Sequence, residues 1–183
     1  SSALPEQVVR DVVASAFQSA GQRCSALRVL YLQEDVADTM REMIRGGFEA
    51  LAVGSPSDLD TDVGPVIDEA ARERLEAHVA ECAAKGWPVT RLPLPEGAER
   101  GCFVAPTIIE VPSIRALQDE NFGPVLHVAR FSAGELPKVV ADINATGFGL
   151  TLGLHSRIAE TRRFVQANAR VGNFYVNRNQ IGA

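Results

Sequence analysis

Basic clusters are absent from this 183-residue chain: its 18 Lys and Arg stand singly or in pairs such as Arg162-Arg163, against 23 Asp and Glu. With a net charge of -5 it lacks the electrostatic footprint of a nucleic-acid binder or an anionic-membrane binder. Long apolar runs are missing too, and none approaches the ~20 residues that a membrane-spanning helix needs. The opening SSALPEQVVRD has neither a basic segment nor an apolar core, so it does not read as a signal peptide. Cysteine is scarce. Cys24, Cys82 and Cys102 are an odd number for disulfides and share no metal-ligand spacing, which implies a reducing, cytoplasmic setting and no metal. His78, His127 and His155 stand far apart and share no spacing with Cys24. No Gly-x-Gly-x-x-Gly follows a strand-like run, so the chain carries no dinucleotide fingerprint of its own. Internal repeats and low-complexity segments are also lacking.

What is present suits one soluble domain with a substantial core: 46% of residues are hydrophobic and 22% charged. Apolar positions Val8, Val9, Val12, Val13, Ala16, Phe17 and Ala20 predict a helix over residues 5–20, opened by Pro5 and stopped by Gly21. SALRVLYLQ reads as a strand, and Asp35 as the cap of a helix over 36–45 that ends at Gly46-Gly47. Residues 51–67 are loop-like. A third helix is expected over 68–85, ended by Gly86. Short strands follow around 89–92, 103–104 and 107–111, then strand 124–131, helix 135–145, strand 150–156, helix 158–169 and strand 173–177. Strands alternating with helices imply a three-layer α/β/α fold with a largely parallel sheet. The chain lacks an initiating Met and stops just after a strand, and reads as a piece of something longer.

Chemistry concentrates in SAGQRCSALR, where Cys24 lies between a helix and a strand. A thiol is the most nucleophilic side chain available near neutrality, and a positioned one can attack a carbonyl carbon. Gly21 permits the tight turn this requires, and the Cys24 amide is a candidate oxyanion donor. The preceding helix directs its partly negative end at the turn, which disfavours a thiolate, and Arg23 and Arg28 are placed to offset it. On these residues alone a buried, inert cysteine is the favoured reading over a nucleophile, because free cysteine is among the most buried residue types.

AGQRCSALR resembles the catalytic-cysteine motif of the aldehyde dehydrogenase superfamily, with Gly21, Gln22 and Cys24 at the motif positions. DVGPVID, GCFVAPTII, ENFGPVLHV, FGLTLGLHS and GNFYVN follow in family order, so the resemblance covers nearly the whole chain. Ser25 and GNFYVNRNQIGA are most similar to the branch that oxidises glutamate γ-semialdehyde, the open form of Δ1-pyrroline-5-carboxylate. In bacteria that branch often lies within bifunctional proline-utilising enzymes.

The resemblance implies roles residue by residue. Cys24 would attack the aldehyde, form a thiohemiacetal that loses hydride to NAD, and leave a thioester for water. Glu120 would hold the nicotinamide ribose and Phe122 would lie beside the nicotinamide. Ser25, Gly182 and Ala183 would hold the substrate α-carboxylate; at 183, Ala stands where some relatives have Ser, leaving only main-chain donors. Cys82 and Cys102 read as structural. Residues 1–183 would then be the catalytic domain of an NAD-dependent dehydrogenase without its NAD-binding domain, and inactive alone. The oxyanion-hole amide and the general-base glutamate would lie upstream. The implied partners are an aldehyde substrate, the chain's own NAD-binding domain and further copies of the parent. An FAD-dependent proline dehydrogenase domain is a further upstream expectation. A coenzyme A-acylating relative and a non-catalytic oligomerisation module are the alternatives.

Overall fold

The computed structural model describes residues 2–182. Helix α1 (Pro5–Phe17) starts on Pro5 and buries Val8, Val12, Ala16 and Phe17 along one face. A 3-10 turn, Gln18–Gly21, follows it, with Ser19, Ala20 and Gly21 all at positive φ. The helix therefore ends before residue 20. Strand β1 (Val29–Gln33) begins four residues later than its apolar pattern suggests. Residues 26 and 27 are engaged elsewhere: the Ala26 amide donates to the Arg23 carbonyl and the Leu27 amide to the Ser15 carbonyl.

Helix α2 (Glu34–Glu49) corrects two expectations. Its N-cap is Gln33, with Asp35 inside the first turn, and it runs through Gly46-Gly47 to Glu49. Tertiary packing overrides the stop signal here. Phe48 is fully buried with its ring centroid 5.2 Å from that of Phe17. A Cβ on Gly47 would come within 2.8 Å of Val9 Cγ1, so this glycine permits the close approach of α1 and α2.

Helix α3 (Glu69–Ala84) follows its sequence signals. The Asp68 carboxylate caps it by accepting from the Ala71 amide at 2.8 Å, and Ala71, Leu75, Val79 and Cys82 form its buried stripe. Strands β2 (Val89–Arg91), β3 (Thr107–Glu110) and β4 (Val125–Phe131) complete the main sheet, whose order is β1-β4-β3-β2. Strand β4 pairs in parallel with both β1 and β3, and only the edge strand β2 is antiparallel. Residues 103–104 form no strand. Val125 to Ala129 are buried without a break, and since successive strand residues face opposite ways, both faces of β4 are covered.

Helix α4 (Leu136–Ala145), strand β5 (Thr151–Leu154), helix α5 (Ala159–Asn168) and strand β6 (Asn173–Val176) form the last unit, with β5 and β6 paired in parallel as a separate two-stranded sheet. The architecture is α/β with mostly parallel strands. No helix among the described residues is long and apolar enough to cross a membrane.

Candidate active site

The turn that carries Cys24 is built by a backbone that only some residues tolerate. Gly21 has φ +63°, and a Cβ there would stand 2.0 Å from the Gly123 carbonyl oxygen. The Cys24 turn and the ENFGP loop are therefore in van der Waals contact through two glycines. Gln22 ties the same turn to a third segment: its Oε1 accepts from the Ile67 amide at 2.8 Å and its Nε2 donates to the Pro65 carbonyl at 3.3 Å. Three of the sequence motifs thus converge around residues 21–24.

Cys24 is exposed, whereas Cys82 is buried and Cys102 intermediate. Among the described residues, the Cys24 amide meets no backbone or side-chain acceptor, so it is free to donate to an incoming oxygen. Cys24, Arg28, Glu120 and Asn121 line the same cavity, of about 1020 Å³. A limiting alkylating reagent at neutral pH is therefore expected to label Cys24 ahead of Cys82 and Cys102. Peptide mapping that finds Cys82 modified first would contradict this exposure order.

Arg28 is the organising side chain, which sequence reasoning left without a settled role. Its Nε donates to Glu120 Oε1 at 3.1 Å, its Nη1 donates to the Gly21 carbonyl, and its Nη2 donates to the Arg23 carbonyl at 2.9 Å. The guanidinium also lies 4.5 Å from the centroid of the Phe122 ring. Burial holds its pKa below the ordinary arginine value, while the hydrogen bond and charge of Glu120, and less so Cys24, act in the opposite direction. The carbonyls that leave the 3-10 turn are thus met by a cation, which offsets their partly negative field at the thiol. The Arg23 guanidinium makes a different contact in the same turn, its Nε donating to the Ser19 hydroxyl at 3.1 Å.

Glu120 is partly buried by that pairing and not a loose loop carboxylate. Phe122 is 37% exposed, so it is not a core aromatic. Ser25 is 1% exposed, and its carbonyl accepts from Thr151 Oγ1 and Gln180 Nε2, each at 3.4 Å. Gln180 thereby joins the terminal segment to the Cys24 turn, and its own amide donates to the Ser15 hydroxyl at 3.2 Å. Gly182 is exposed and packs beside Arg178 and Tyr175. Ala183 lies outside the described residues.

Away from this turn, the fold assembles a group that spacing along the chain concealed. His78 and Cys82 on α3 meet His127 on β4, with 2.8 Å between the two Nε2 atoms and 3.7 Å from Cys82 Sγ to His78 Nε2. Burial pushes the pKa of His127 down to about 4, against the raising effect of its backbone hydrogen bond to Arg28, so the ring is neutral near pH 7.

The sequence pattern of the aldehyde dehydrogenase family matches residues 2–183. The bifunctional protein PutA of Klebsiella aerogenes is 54% identical over 189 residues, covering all of this chain and 14% of that protein. A crystal structure of bifunctional proline utilization A (PutA) superposes with a TM-score of 0.94 at 52% identity, covering all of this chain and 18% of the other. A 1-pyrroline-5-carboxylate dehydrogenase from Thermus with bound NAD gives a TM-score of 0.86 at 30% identity, over all of this chain and 35% of the other. The chain therefore spans about a seventh to a third of the length of these relatives. With the cysteine turn, its glycine contact and the matched motifs in one continuous fold, the chain belongs to the aldehyde dehydrogenase family.

Proposed function

We propose that this chain supplies the catalytic cysteine of an NAD-dependent dehydrogenase that oxidises glutamate γ-semialdehyde to glutamate in proline catabolism. The observation that carries this reading is the exposed Cys24 on a turn braced by Arg28, which also holds Glu120 on the wall of the same cavity. Similarity to PutA and to 1-pyrroline-5-carboxylate dehydrogenase supports the substrate.

Cys24 Sγ, once its proton has left, adds to the aldehyde carbon, and the carbonyl oxygen takes the charge within reach of the Cys24 amide. NAD, when bound, accepts the hydride that leaves this carbon. The acyl group then remains on Cys24 as a thioester, which water cleaves to release the carboxylate and return the thiol. Glu120 fits a ribose contact because Arg28 engages only one of its oxygens, Oε1, leaving the other to accept from a hydroxyl. Phe122, exposed and fixed under Arg28, would limit where the nicotinamide sits.

Residues 1–183 act in this reading as the catalytic domain, with the NAD-binding domain supplied by the rest of the parent protein. The parent would be a homo-oligomer in the cytoplasm, and an FAD-dependent proline dehydrogenase unit in the same polypeptide would supply the substrate. Ser25 and Gly182 would belong to the substrate-carboxylate end, with Gln180 holding the two segments together.

The test is to assay the full-length parent against glutamate γ-semialdehyde and simple aliphatic aldehydes, with and without coenzyme A, and to repeat it with Ser25→Ala. Free glutamate should form without coenzyme A. The variant should lose roughly ten- to hundredfold in kcat/KM for the carboxylate-bearing substrate, matching one hydrogen bond to a charged group of ~1.5–3 kcal/mol. An equal loss on aliphatic aldehydes would show that Ser25 supports the turn and does not read the carboxylate.

A further inference from the structure

The His78, Cys82 and His127 cluster has no part in the chemistry proposed for Cys24, yet its donor atoms all lie within 4.8 Å of one another. We propose that these three residues form a binding site for a divalent metal ion of the zinc class, with water completing a tetrahedral shell. The donor set, two imidazoles and one thiol, is that of a borderline ion and not of calcium or magnesium.

Two of the three donor pairs lie near the spacings of a coordination polyhedron, and the third, Cys82 to His127, lies within 4.8 Å. Zinc bonds of ~2.05 Å to nitrogen and ~2.3 Å to sulfur at tetrahedral angles place nitrogen and sulfur about 3.6 Å apart, and two nitrogens about 3.4 Å apart. Cys82 Sγ stands 3.7 Å from His78 Nε2, which needs no adjustment. The two Nε2 atoms are 2.8 Å apart, so an ion would have to part them by about half an ångström. His78 and Cys82 are four residues apart on α3 and therefore share a helix face, while β4 supplies the third ligand from a rigid central strand.

The outer shell is also set. His127 Nδ1 lies 3.0 Å from the Arg28 carbonyl, which can only accept, so Nδ1 carries the proton and Nε2 presents its lone pair to the cluster. A backbone carbonyl behind the second nitrogen is the usual orienting partner of a metal-bound histidine. His78 is only partly buried, which leaves an entry path from solvent, whereas Cys82 and His127 are buried. On binding, the proton between the two imidazoles moves to His78 Nδ1, and Cys82 loses its thiol proton to solvent. One proton is released and no redox change occurs. The bound ion would clamp α3 to β4 directly behind Arg28, the residue that braces the Cys24 turn.

The test is cobalt(II) titration of the full-length parent in a Cys24→Ser background, which removes the exposed thiol as a competing ligand. A further Cys82→Ser or His78→Ala substitution provides the comparison, since His78 is near the surface and its truncation spares the core. The expected result is a thiolate-to-cobalt charge-transfer band saturating at one ion per chain. The band should vanish in Cys82→Ser, and affinity should fall at least tenfold in His78→Ala. Zinc should displace the cobalt and raise the thermal midpoint of the parent but not of the Cys82→Ser protein. No saturable band, or the same band in Cys82→Ser, would overturn the site and leave the cluster as a histidine pair beside a packed thiol.

Discussion

Replacing Cys24 by alanine is expected to lower NADH production from glutamate γ-semialdehyde by at least ~10⁴-fold in the full-length parent, because loss of a catalytic nucleophile removes the covalent route. The side chain is exposed, and its removal leaves no cavity and no unpaired buried group. Exposed substitutions of this kind usually change stability by no more than about 0.5 kcal/mol. The variant should therefore fold, retain its NAD affinity and keep Glu120 paired to Arg28. Calorimetric titration of NAD alongside steady-state kinetics separates the two effects. Activity within tenfold of the unaltered protein would remove Cys24 from the mechanism. A parallel loss of NAD binding would instead make it a structural residue of the turn.

Alanine at Gly21 is expected to destabilise the protein by roughly 2–5 kcal/mol, a sum of left-handed backbone strain and overpacking. Gly21 has φ +63°, and its Cβ would meet the Gly123 carbonyl oxygen at 2.0 Å, the Gly123 carbonyl carbon at 2.6 Å and the Ala16 carbonyl oxygen at 2.9 Å. All three atoms are backbone, so no side-chain rotation relieves the contact. The turn and the ENFGP loop must separate, which pulls apart the two sides that Arg28 joins, the turn carbonyls and Glu120 of the loop. Gly46→Ala is the matched control, since nothing lies within 4 Å of a Cβ there and the position is inside α2. That change should be neutral or stabilise by about 0.5–1 kcal/mol. Urea denaturation of both variants, with alkylation rates at Cys24, gives the comparison. Equal midpoints would mean that the two loops are not in register through Gly21.

The two glycine positions also show where local signals lose authority. Gly46-Gly47 reads as a helix stop, yet α2 continues, because burying Phe48 against Phe17 outweighs the ~1 kcal/mol propensity cost of each glycine. Ser25 to Arg28 look like strand, but the Ala26 amide bonds to the turn and the Leu27 amide to α1, so β1 starts at Val29. Residues 103–104 are apolar enough for a strand and form none. By contrast, the bounds of α3 were legible to within a residue, since a capping carboxylate, a four-residue apolar stripe and a closing glycine agree.

Local sequence patterns alone carry the α/β class, the strand over residues 124–131 and, through the order of the motifs, membership of the family. These rest on periodicity, capping and short contiguous patterns, which are properties of neighbours along the chain. Packing in three dimensions set the exposure of Cys24 against the burial of Cys82, and the grip of Arg28 on both the turn and Glu120. It alone brought His78 and Cys82 to His127, partners 49 and 45 positions apart in the chain. Contacts between residues so far apart follow from how helices and strands pack, and no local pattern encodes which side chains that packing will bring together.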